Sequence, residues 1–433
     1  MGIIYALKSE NTSLLSIGNQ ISFQSNFSWE KARSQVQSEG LQVLSAELAR
    51  RVLVEAMEQE ADELCGGRKG RHFKDDRLAF RHGRKACKVP FGAATMEMKR
   101  PRVRAKGKEL ELSTYRAAKE RQLSPQTVLA TCVNGTSQRS FSKVAQTLQG
   151  TERPEFSHRS KSTVNRYFIR AAKKVLKELQ ERSLTGTRYL ALYIDGVQEQ
   201  GYHALAVLGL TDNGEKRVLG LREGTSESSE VCKELLVDLL RRGLETGDRF
   251  VAVIDGGKGL ASALREIFGP QVKIQRCRAH KMRNVLEKLP AEERESARKE
   301  INRAWSEPDF KNAERMLNNI AFRLKTRGRV EASNSLKEGL KETLTCNSLK
   351  LPADSPLTRF LATTNPLESL FARHDDVSRR VCRWRSGTML LRWVGTSLAL
   401  AENSFTRVED KEGLALLAKA LSLRPSLQLP AAS

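Results

Sequence analysis

No apolar run in the 433 residues is long enough to cross a bilayer, and no basic amphipathic segment offers a surface anchor. A secretory pattern is also missing, because the apolar stretch from Ile3 to Leu7 is too short for a signal core. The seven cysteines are odd in number and scattered, with no Cys-x-x-Cys pair. This argues against a disulfide framework and suits a reducing compartment. Together these absences predict a cytoplasmic chain. Acid is scarce as well: 51 Asp and Glu stand against 74 Lys and Arg, a formal net charge of +23. An excess of that size has to be neutralised or solvated, and with a membrane disfavoured the expected polyanion is nucleic acid.

Residues 1–40 are polar, rich in Ser, Gln and Asn, and carry no sustained period, so they read as a poorly structured leader. From Leu44 to Leu64 apolar residues recur at helical spacing, with Ser45 as a plausible N-cap and Gly66-Gly67 as the stop. The basic centre follows: residues 66–125 hold twelve more Lys and Arg than Asp and Glu. Alternation through Lys99, Arg100, Arg102 and Arg104 suits an extended ribbon lying on phosphates, with Phe73, Phe80 and Phe91 packing it or stacking on bases. A solvated loop with a few core aromatics is the plainer alternative.

Three helical patterns come next. Ser124-Pro125 opens the first and Asn134-Gly135 ends it. A second lies around Ser140 to Leu148, and after a polar loop a third starts at Ser160-Lys161-Ser162-Thr163-Val164-Asn165-Arg166 and runs to about Leu184. Lys161, Ser162, Asn165 and Arg166 are side chains that reach base edges and phosphates, so the trio fits a helix-turn-helix; a helical linker fits it too.

At Thr187 the chain changes character. Tyr189 to Ile194 is a continuous apolar run ending in Asp195-Gly196; Tyr202 to Leu210 and Arg217 to Leu221 follow, giving a three-stranded antiparallel meander. A helix over Ser229 to Leu244, a strand Phe250 to Ile254 ending in Asp255-Gly256, a helix Lys258 to Phe268 and a strand Val272 to Gln275 complete the order of an RNase H-like fold. In that order the first and fourth strands are parallel neighbours, which brings Asp195 and Asp255 together. Paired carboxylates repel unless cations lie between them. Two Mg²⁺ ions (Mn²⁺ as a substitute), roughly 3.5–4 Å apart, activate the attacking oxygen and stabilise the leaving one at phosphorus. A turn after each strand is the alternative for either Asp-Gly alone. The third carboxylate is Glu368, early in a helix opened by Thr364-Asn365-Pro366; Arg373, Arg379 and Arg380 follow it and are suited to holding DNA. A glutamate favoured at a helix start by the dipole is the competing explanation.

These residues resemble the Mutator-type transposases of bacterial insertion sequences over roughly residues 44–405. The resemblance is carried by Tyr193-Ile194-Asp195-Gly196, Arg222-Glu223-Gly224-Thr225-Ser226-Glu227 and Val253-Ile254-Asp255-Gly256-Gly257. It continues in Gln275-Arg276-Cys277-Arg278-Ala279-His280-Lys281 and Thr364-Asn365-Pro366-Leu367-Glu368-Ser369. It implies that Asp195, Asp255 and Glu368 are catalytic acids, that terminal inverted repeats are the DNA substrate, and that a helical insertion separates the second Asp from the Glu. Lys281 to about Ser348 is itself charged and helical in pattern. Cys277 and His280 match the family's Cys-x-x-His element. As half of a zinc site they would need partners such as Cys346, Cys382 or His374, and the preferred reading places them beside the active site, on or near DNA. Trp305 resembles a tryptophan of the family's insertion, suited to stacking on an unpaired base or to a buried core. Residues 1–40 have no counterpart in the resemblance, which leaves room for a natural start further in, and Arg379 to Trp393 is less typical of the family.

The expected architecture is α/β: an RNase H-like core with a mixed five-stranded sheet, an all-helical insertion and an N-terminal helical, helix-turn-helix DNA-binding region. By residue this gives a leader (1–40), a basic DNA-binding region (41–121), a helix-turn-helix (122–185) and the first part of the core (186–280). A helical insertion (281–349), the rest of the core with the Glu helix (350–405) and a tail (406–433) complete it. The expected activity is metal-dependent strand cleavage and strand transfer on double-stranded DNA, both transposon ends and target. It would be carried out by a homodimer or larger assembly on the nucleoid, without a membrane. The rivals are a catalytically silent DNA-binding regulator and another RNase H-like nuclease such as a resolvase.

Overall fold

The computed structural model describes residues 41–67, 79–92, 94–120, 124–149 and 156–422, together with positions 30, 34, 36 and 37. The leader therefore lies almost wholly outside the described residues, as do Phe73 and the tail beyond residue 422. The chain divides into two compact units, residues 1–128 with 136–165, and residues 129–135 with 166–433.

In the first unit, helix α1 (Leu41–Leu64) covers a small antiparallel sheet. Strands β1 (Phe80–Phe91) and β2 (Ala94–Ala105) form a hairpin running from Phe91↔Ala94 to Phe80↔Arg104. β3 (Lys108–Leu110) pairs with the far end of β2. The short helix α2 (Ser113–Glu120) follows, its first turn bound by Glu60 of α1, which accepts from the Ser113 hydroxyl at 2.7 Å and the Thr114 amide at 3.0 Å. α3 (Pro125–Val133) and α4 (Phe141–Gln149) match the first two expected helices. The polar loop expected after them holds a strand, β4 (Phe156–His158), paired with the start of β2. α5 (Lys161–Glu181) is the expected third helix.

Alternation decides which basic residues of β2 are available. Ala94, Met96 and Met98 face inward with the apolar residues of α1 and Arg100 is buried, whereas Glu97 and Lys99 face out. Between Arg81 and Arg84 the hairpin carries a bulge, and Pro101 sits opposite Arg84 where the ladder is interrupted, a place that tolerates a missing N–H.

The second unit is built on a five-stranded mixed sheet of order β7-β6-β5-β8-β9, so the chain is mixed α/β. β5 (Tyr189–Glu199), β6 (Tyr202–Thr211) and β7 (Lys216–Glu223) are antiparallel. Helix α6 (Ser229–Arg241) leads to β8 (Phe250–Ile254), and α7 (Lys258–Phe268) to β9 (Val272–Arg276); β8 runs parallel to both β5 and β9. These strands are continuous apolar runs because helices bury both faces. On one face Leu192, Ile194, Ala252 and Ile254 pack against Leu235 and Leu239 of α6 and Leu260 and Leu264 of α7.

Past β9 the described residues hold helices only: α8 (Arg278–Leu286), α9 (Ala291–Trp305), α10 (Phe310–Thr326), α11 (Val330–Lys337) and α12 (Thr345–Ser348). Much of this stretch packs around its own core of Val285, Ile301, Leu317, Ile320 and Leu336. α13 (Pro356–Leu361), α14 (Asn365–Ser378), α15 (Gly387–Glu402) and α16 (Lys411–Leu421) return to the sheet, where Leu357, Leu367, Leu390, Val394 and Leu417 cover Tyr193, Val197, Leu208 and Val253. Among the described residues no helix is long and apolar enough to cross a membrane.

One boundary corrects the sequence expectation. β5 does not stop at Asp195-Gly196; it continues paired with β6 through Gly196↔Leu205 to Glu199↔Tyr202. Asp-Gly has turn propensity, but a full ladder to a neighbouring strand overrides it. Asp195 is thus an interior strand residue, while Asp255 follows the last residue of β8.

Candidate active site

Parallel register sets the first pair. Ile194 lies opposite Ile254, so Asp195 and Asp255 are the next residues on adjacent strands. Asp195 is 7% exposed, and one of its oxygens accepts the Gly196 amide at 2.8 Å. Asp255 accepts the Gly257 amide at 2.9 Å, folding the chain into a tight turn at the end of β8. Gly256 is needed there: its φ is +108°, and a Cβ would lie 2.4 Å from the Arg276 guanidinium. Burial pushes the Asp195 carboxyl up to about 6; the Gly196 amide opposes this, Asp255 and Glu368 add repulsion, and His280 attracts. Asp255, Glu368 and His280 thus all lie close enough to Asp195 to act on its charge.

Glu368 stands in the first turn of α14, and its surroundings form a compact knot. Thr364 precedes the helix but caps no amide with its side chain. Its hydroxyl lies 2.7 Å from Glu368 Oε1 and 3.3 Å from Cys277 Sγ; with one hydrogen to give, it donates to the closer carboxylate. Cys277 is fully buried, its amide bonded to the Ile254 carbonyl at 2.7 Å, so β8 fixes the sulfur directly beside the turn bearing Asp255. His280, on the first turn of α8, has Nδ1 3.4 Å from Thr364 Oγ1 and 3.8 Å from Glu368 Oε1. Its bond to Cys277 raises the imidazole to about 9 against the cost of burial, with Asp195 and Glu368 contributing. Burial pushes the Cys277 thiol up, but donors from His280 and Thr364 outweigh it and leave the thiol below its ordinary value.

The donor set suits divalent cations. Carboxylate oxygens are the ligands that Mg²⁺ and Mn²⁺ take, and a cation beside Asp195 would offset both its burial, which does most to lift it, and the repulsion of Asp255 and Glu368. Glu368 also forms a tighter group with Cys277 and His280, whose ligand atoms lie within 4.8 Å of one another. Neither Cys346 nor His374 joins that group: Cys346 is buried with its amide on Gln275 at 3.1 Å, and His374 lies with Glu199 and Asp375. Cys382 is exposed.

The Gln275 to Lys281 motif serves mainly as a latch. The Gln275 and Arg278 side chains donate to the Thr343 carbonyl at 3.2 and 2.9 Å. Arg276 and Lys281 donate to the Glu338 carbonyl at 3.0 and 2.7 Å. Together they tie the end of β9 to the helical segment. Trp305 is 5% exposed, its Nε1–H donates to Thr343 Oγ1 at 3.2 Å, and Arg278 lies over its ring at 5.6 Å. Its ring is packed in the helical core, the second of the two readings offered by the sequence.

The basic candidates separate by exposure. Lys99 is exposed on the outer face of β2. Arg100 is buried, paired with Glu109 at 2.7 Å and laid over Tyr115; Arg102 shares Glu109 at 2.9 Å. Both are thereby engaged in holding β2 to β3, Arg100 from a buried position and Arg102 from a partly exposed one. Arg104 is half-buried, 3.5 Å from His82. Lys161, Ser162 and Arg166 are exposed along the first turns of α5 and Asn165 is half-buried. Arg373 donates to Ser404 at 2.6 Å, Arg379 lies 3.6 Å from Asp376, and Arg380 is exposed. Sequence reasoning missed the contact of Thr364 with Glu368. Its only signal was a hydroxyl four residues before the acid.

The family described as Transposase, Mutator family matches residues 22–407. The match begins inside the stretch read as a leader without counterpart, so that expectation holds for at most its first half. The transposase for insertion sequence element IS6120 of Mycolicibacterium smegmatis is 32% identical over 198 residues, covering 44% of this chain and 58% of that relative. The transposase for element IST2 of Acidithiobacillus ferrooxidans is 31% identical, over 49% of this chain and 73% of the relative. The transposase for element ISRM5 of Rhizobium meliloti is 29% identical over 77% of this chain and 81% of its own length.

Proposed function

The chain belongs to the Mutator family of transposases, and from that premise we propose that it binds the terminal inverted repeats of an insertion sequence and catalyses metal-dependent strand cleavage and strand transfer. Asp195, Asp255 and Glu368 are the catalytic acids, on a core of the RNase H-like type. The observation that carries this is the paired register of Ile194 and Ile254, together with the repulsion that Asp255 and Glu368 exert on the buried Asp195 carboxyl. Two Mg²⁺ ions, or Mn²⁺ in their place, would be held by these three side chains and would supply a nucleophilic oxygen and charge stabilisation at phosphorus.

The chain's own residues do the rest. Asp195, anchored by the Gly196 amide, and Asp255, anchored by Gly257, present oxygens from a rigid sheet. Thr364 aims Glu368, and His280 offsets the negative charge gathered there. A water first attacks the phosphodiester at the element end, breaking its P–O3′ bond and leaving a 5′-phosphate; the 3′-hydroxyl released then attacks a target phosphodiester and displaces the target strand's own 3′-hydroxyl, so no protein–DNA covalent bond forms. Lys99 and the exposed start of α5, the last helix of a helix-turn-helix, hold the ends; Arg379 and Arg380, at the far end of α14 from Glu368, hold DNA further along. The protein works in the cytoplasm on the nucleoid, as a dimer or larger assembly that brings two ends together.

The test is Asp195→Asn. This variant is expected to bind a duplex carrying the inverted repeats that flank its coding region as the native chain does, and to lose cleavage and joining with Mg²⁺. Residual joining at the native rate would remove the acids from the chemistry. A native chain that binds ends but never cuts them would favour a silent regulator.

A further inference from the structure

The continuation of β5 beyond Asp195 carries a second group of ligand-type side chains. Tyr193, Asp195, Val197 and Glu199 alternate onto one face of the strand, the face whose apolar members pack against the helices from α13 onward. Helix α14 turns Leu367, Leu370, Phe371, His374 and Ser378 inward, a stripe at helical spacing. Strand and helix thus meet twice: once where Asp195 and Glu368 interact, and again where Glu199 meets His374 and Asp375. The second meeting lies about 13 Å further along the strand, four residues at roughly 3.3 Å each.

We propose that Glu199, His374 and Asp375 form a binding site for one divalent transition-metal ion of the Zn²⁺ class, which clips the end of β5 to α14. One ligand atom from each residue lies within 4.8 Å of the others, and His374 Nε2 is 3.8 Å from Glu199 Oε1. A tetrahedral ion with bonds of about 2.0–2.2 Å holds its ligand atoms about 3.3–3.6 Å apart, so the His374–Glu199 pair closes with an adjustment of a few tenths of an ångström, and a pair at the outer limit closes by about 1 Å through rotation of the exposed Asp375 side chain. The His374 side chain is 0% exposed and its Nε2 has no hydrogen-bond partner, the kind of buried polar atom that a folded chain otherwise satisfies. Its Nδ1 lies 3.5 Å from Ser397 Oγ, whose own hydrogen is spent on the Trp393 carbonyl at 2.9 Å. Ser397 is thus an acceptor for Nδ1–H, which leaves the Nε2 lone pair aimed at the two carboxylates, the arrangement seen around metal-bound imidazoles.

The carboxylates are suited to the same ion. Ser378 donates to Glu199 Oε1 at 3.2 Å and orients it, and among the described residues neither Glu199 nor Asp375 forms an ion pair with a Lys or Arg. One imidazole nitrogen with two carboxylate oxygens selects Zn²⁺ over Mg²⁺ or Ca²⁺, which prefer all-oxygen shells. Asp375 is exposed, so the fourth position opens to water. Because β5 carries Asp195 and α14 carries Glu368, the clip sets the spacing of the two acids; that consequence rests on the catalytic reading above, whereas the site itself does not.

The full chain, stripped of metal, is titrated with Zn²⁺ against a chromogenic chelator, and with Co²⁺ to read the ligand set. One Co²⁺ per chain with ligand-field bands but no thiolate charge-transfer band is expected, since no sulfur is involved. Asp375→Asn, at an exposed position that leaves folding intact, and Glu199→Gln are each expected to weaken Zn²⁺ binding on the order of 10–100-fold or more. Asp195→Asn is expected to retain it. Unchanged affinity in Asp375→Asn and Glu199→Gln, or a thiolate band as the only Co²⁺ signal, overturns the proposal. Loss of binding in Asp195→Asn alone would assign the ion to the catalytic acids instead. Activity plays no part in these readings, so they stand apart from whether Asp195 is catalytic.

Discussion

Thr364 shows how a single side chain can matter without touching substrate. Its hydroxyl holds Glu368 at 2.7 Å and its amide and hydroxyl both approach Cys277. Thr364→Val keeps the shape and removes the donor, so Glu368 loses its aim while the helix stays. Single-turnover cleavage is expected to slow about 10–100-fold with end binding unchanged, the scale of losing an outer-shell partner of a ligand; Thr364→Ser should restore most of the rate. The basic residues of β2 divide in the same way. Lys99→Ala should leave stability within about 0.5 kcal/mol and lower the salt slope of DNA binding by about one. Arg100→Ala leaves Glu109 to Arg102 alone and empties a buried place, costing about 1–3 kcal/mol with little specific effect on DNA. Equal effects of the two in a salt titration would contradict this division.

Glu109 adds a pH signature. The guanidiniums of Arg102 and Arg100 hold it down at about 2, against an ordinary 4.5. Its folded value lies below its unfolded one, so the stabilisation it lends is full above about 4.5 and is lost as pH falls toward 2. Acid unfolding of the native chain should therefore be steeper over that window than that of Glu109→Gln, as followed by circular dichroism. Identical profiles would mean that the Arg pairs contribute nothing.

Among the elements, the sheet was legible because its strands are buried on both faces and so read as unbroken apolar runs bounded by turns. Tyr189, Tyr202 and Phe250 begin strands where the sequence places them. What was not legible is where pairing overrides local signal. Asp195-Gly196 has the look of a turn, yet β6 keeps β5 extended to Glu199. β4 is three residues long and exists because β2 offers an edge. The partition of Arg100 from Lys99 depends on hairpin register, which no composition count contains. Close approach is equally hidden: a Cβ on Gly259 of α7 would lie 2.2 Å from the Glu227 carbonyl, so the loop Gly224 to Ser228 and the start of α7 need glycine there. Trp305 makes the element-scale test for the helical segment. Trp305→Ala opens a cavity and frees the Thr343 hydroxyl, and should cost about 3–5 kcal/mol in denaturant unfolding. A variant of native stability with impaired end processing would return the ring to a base-stacking role.

For the whole molecule, the candidate site joins residues far apart in sequence: Asp195 and Asp255 from the sheet, Cys277 and His280 at the start of the helical segment, and Thr364 and Glu368 after it. The motifs were visible as separate strings, and the family match over residues 22–407 joins them. Their contacts with one another were not visible, because the roughly ninety residues between His280 and Glu368 hide which end of α14 faces the sheet. The charge of +23 suits a polyanion as partner, and among the described residues exposed cations such as Lys99, Lys161 and Arg380 are free of the internal roles that Arg100 and Arg102 play.

The most direct measurement of the central claim is a metal switch at each acid. Asp195→Cys, Asp255→Cys and Glu368→Cys exchange an oxygen ligand for sulfur, which Mg²⁺ binds poorly and softer ions accept. Cleavage of a duplex bearing the element's ends should vanish with Mg²⁺ in all three chains and return in part with Mn²⁺ or Cd²⁺. Native rates with Mg²⁺, or inactivity that no softer ion relieves at any of the three positions, would contradict a shared metal-holding role.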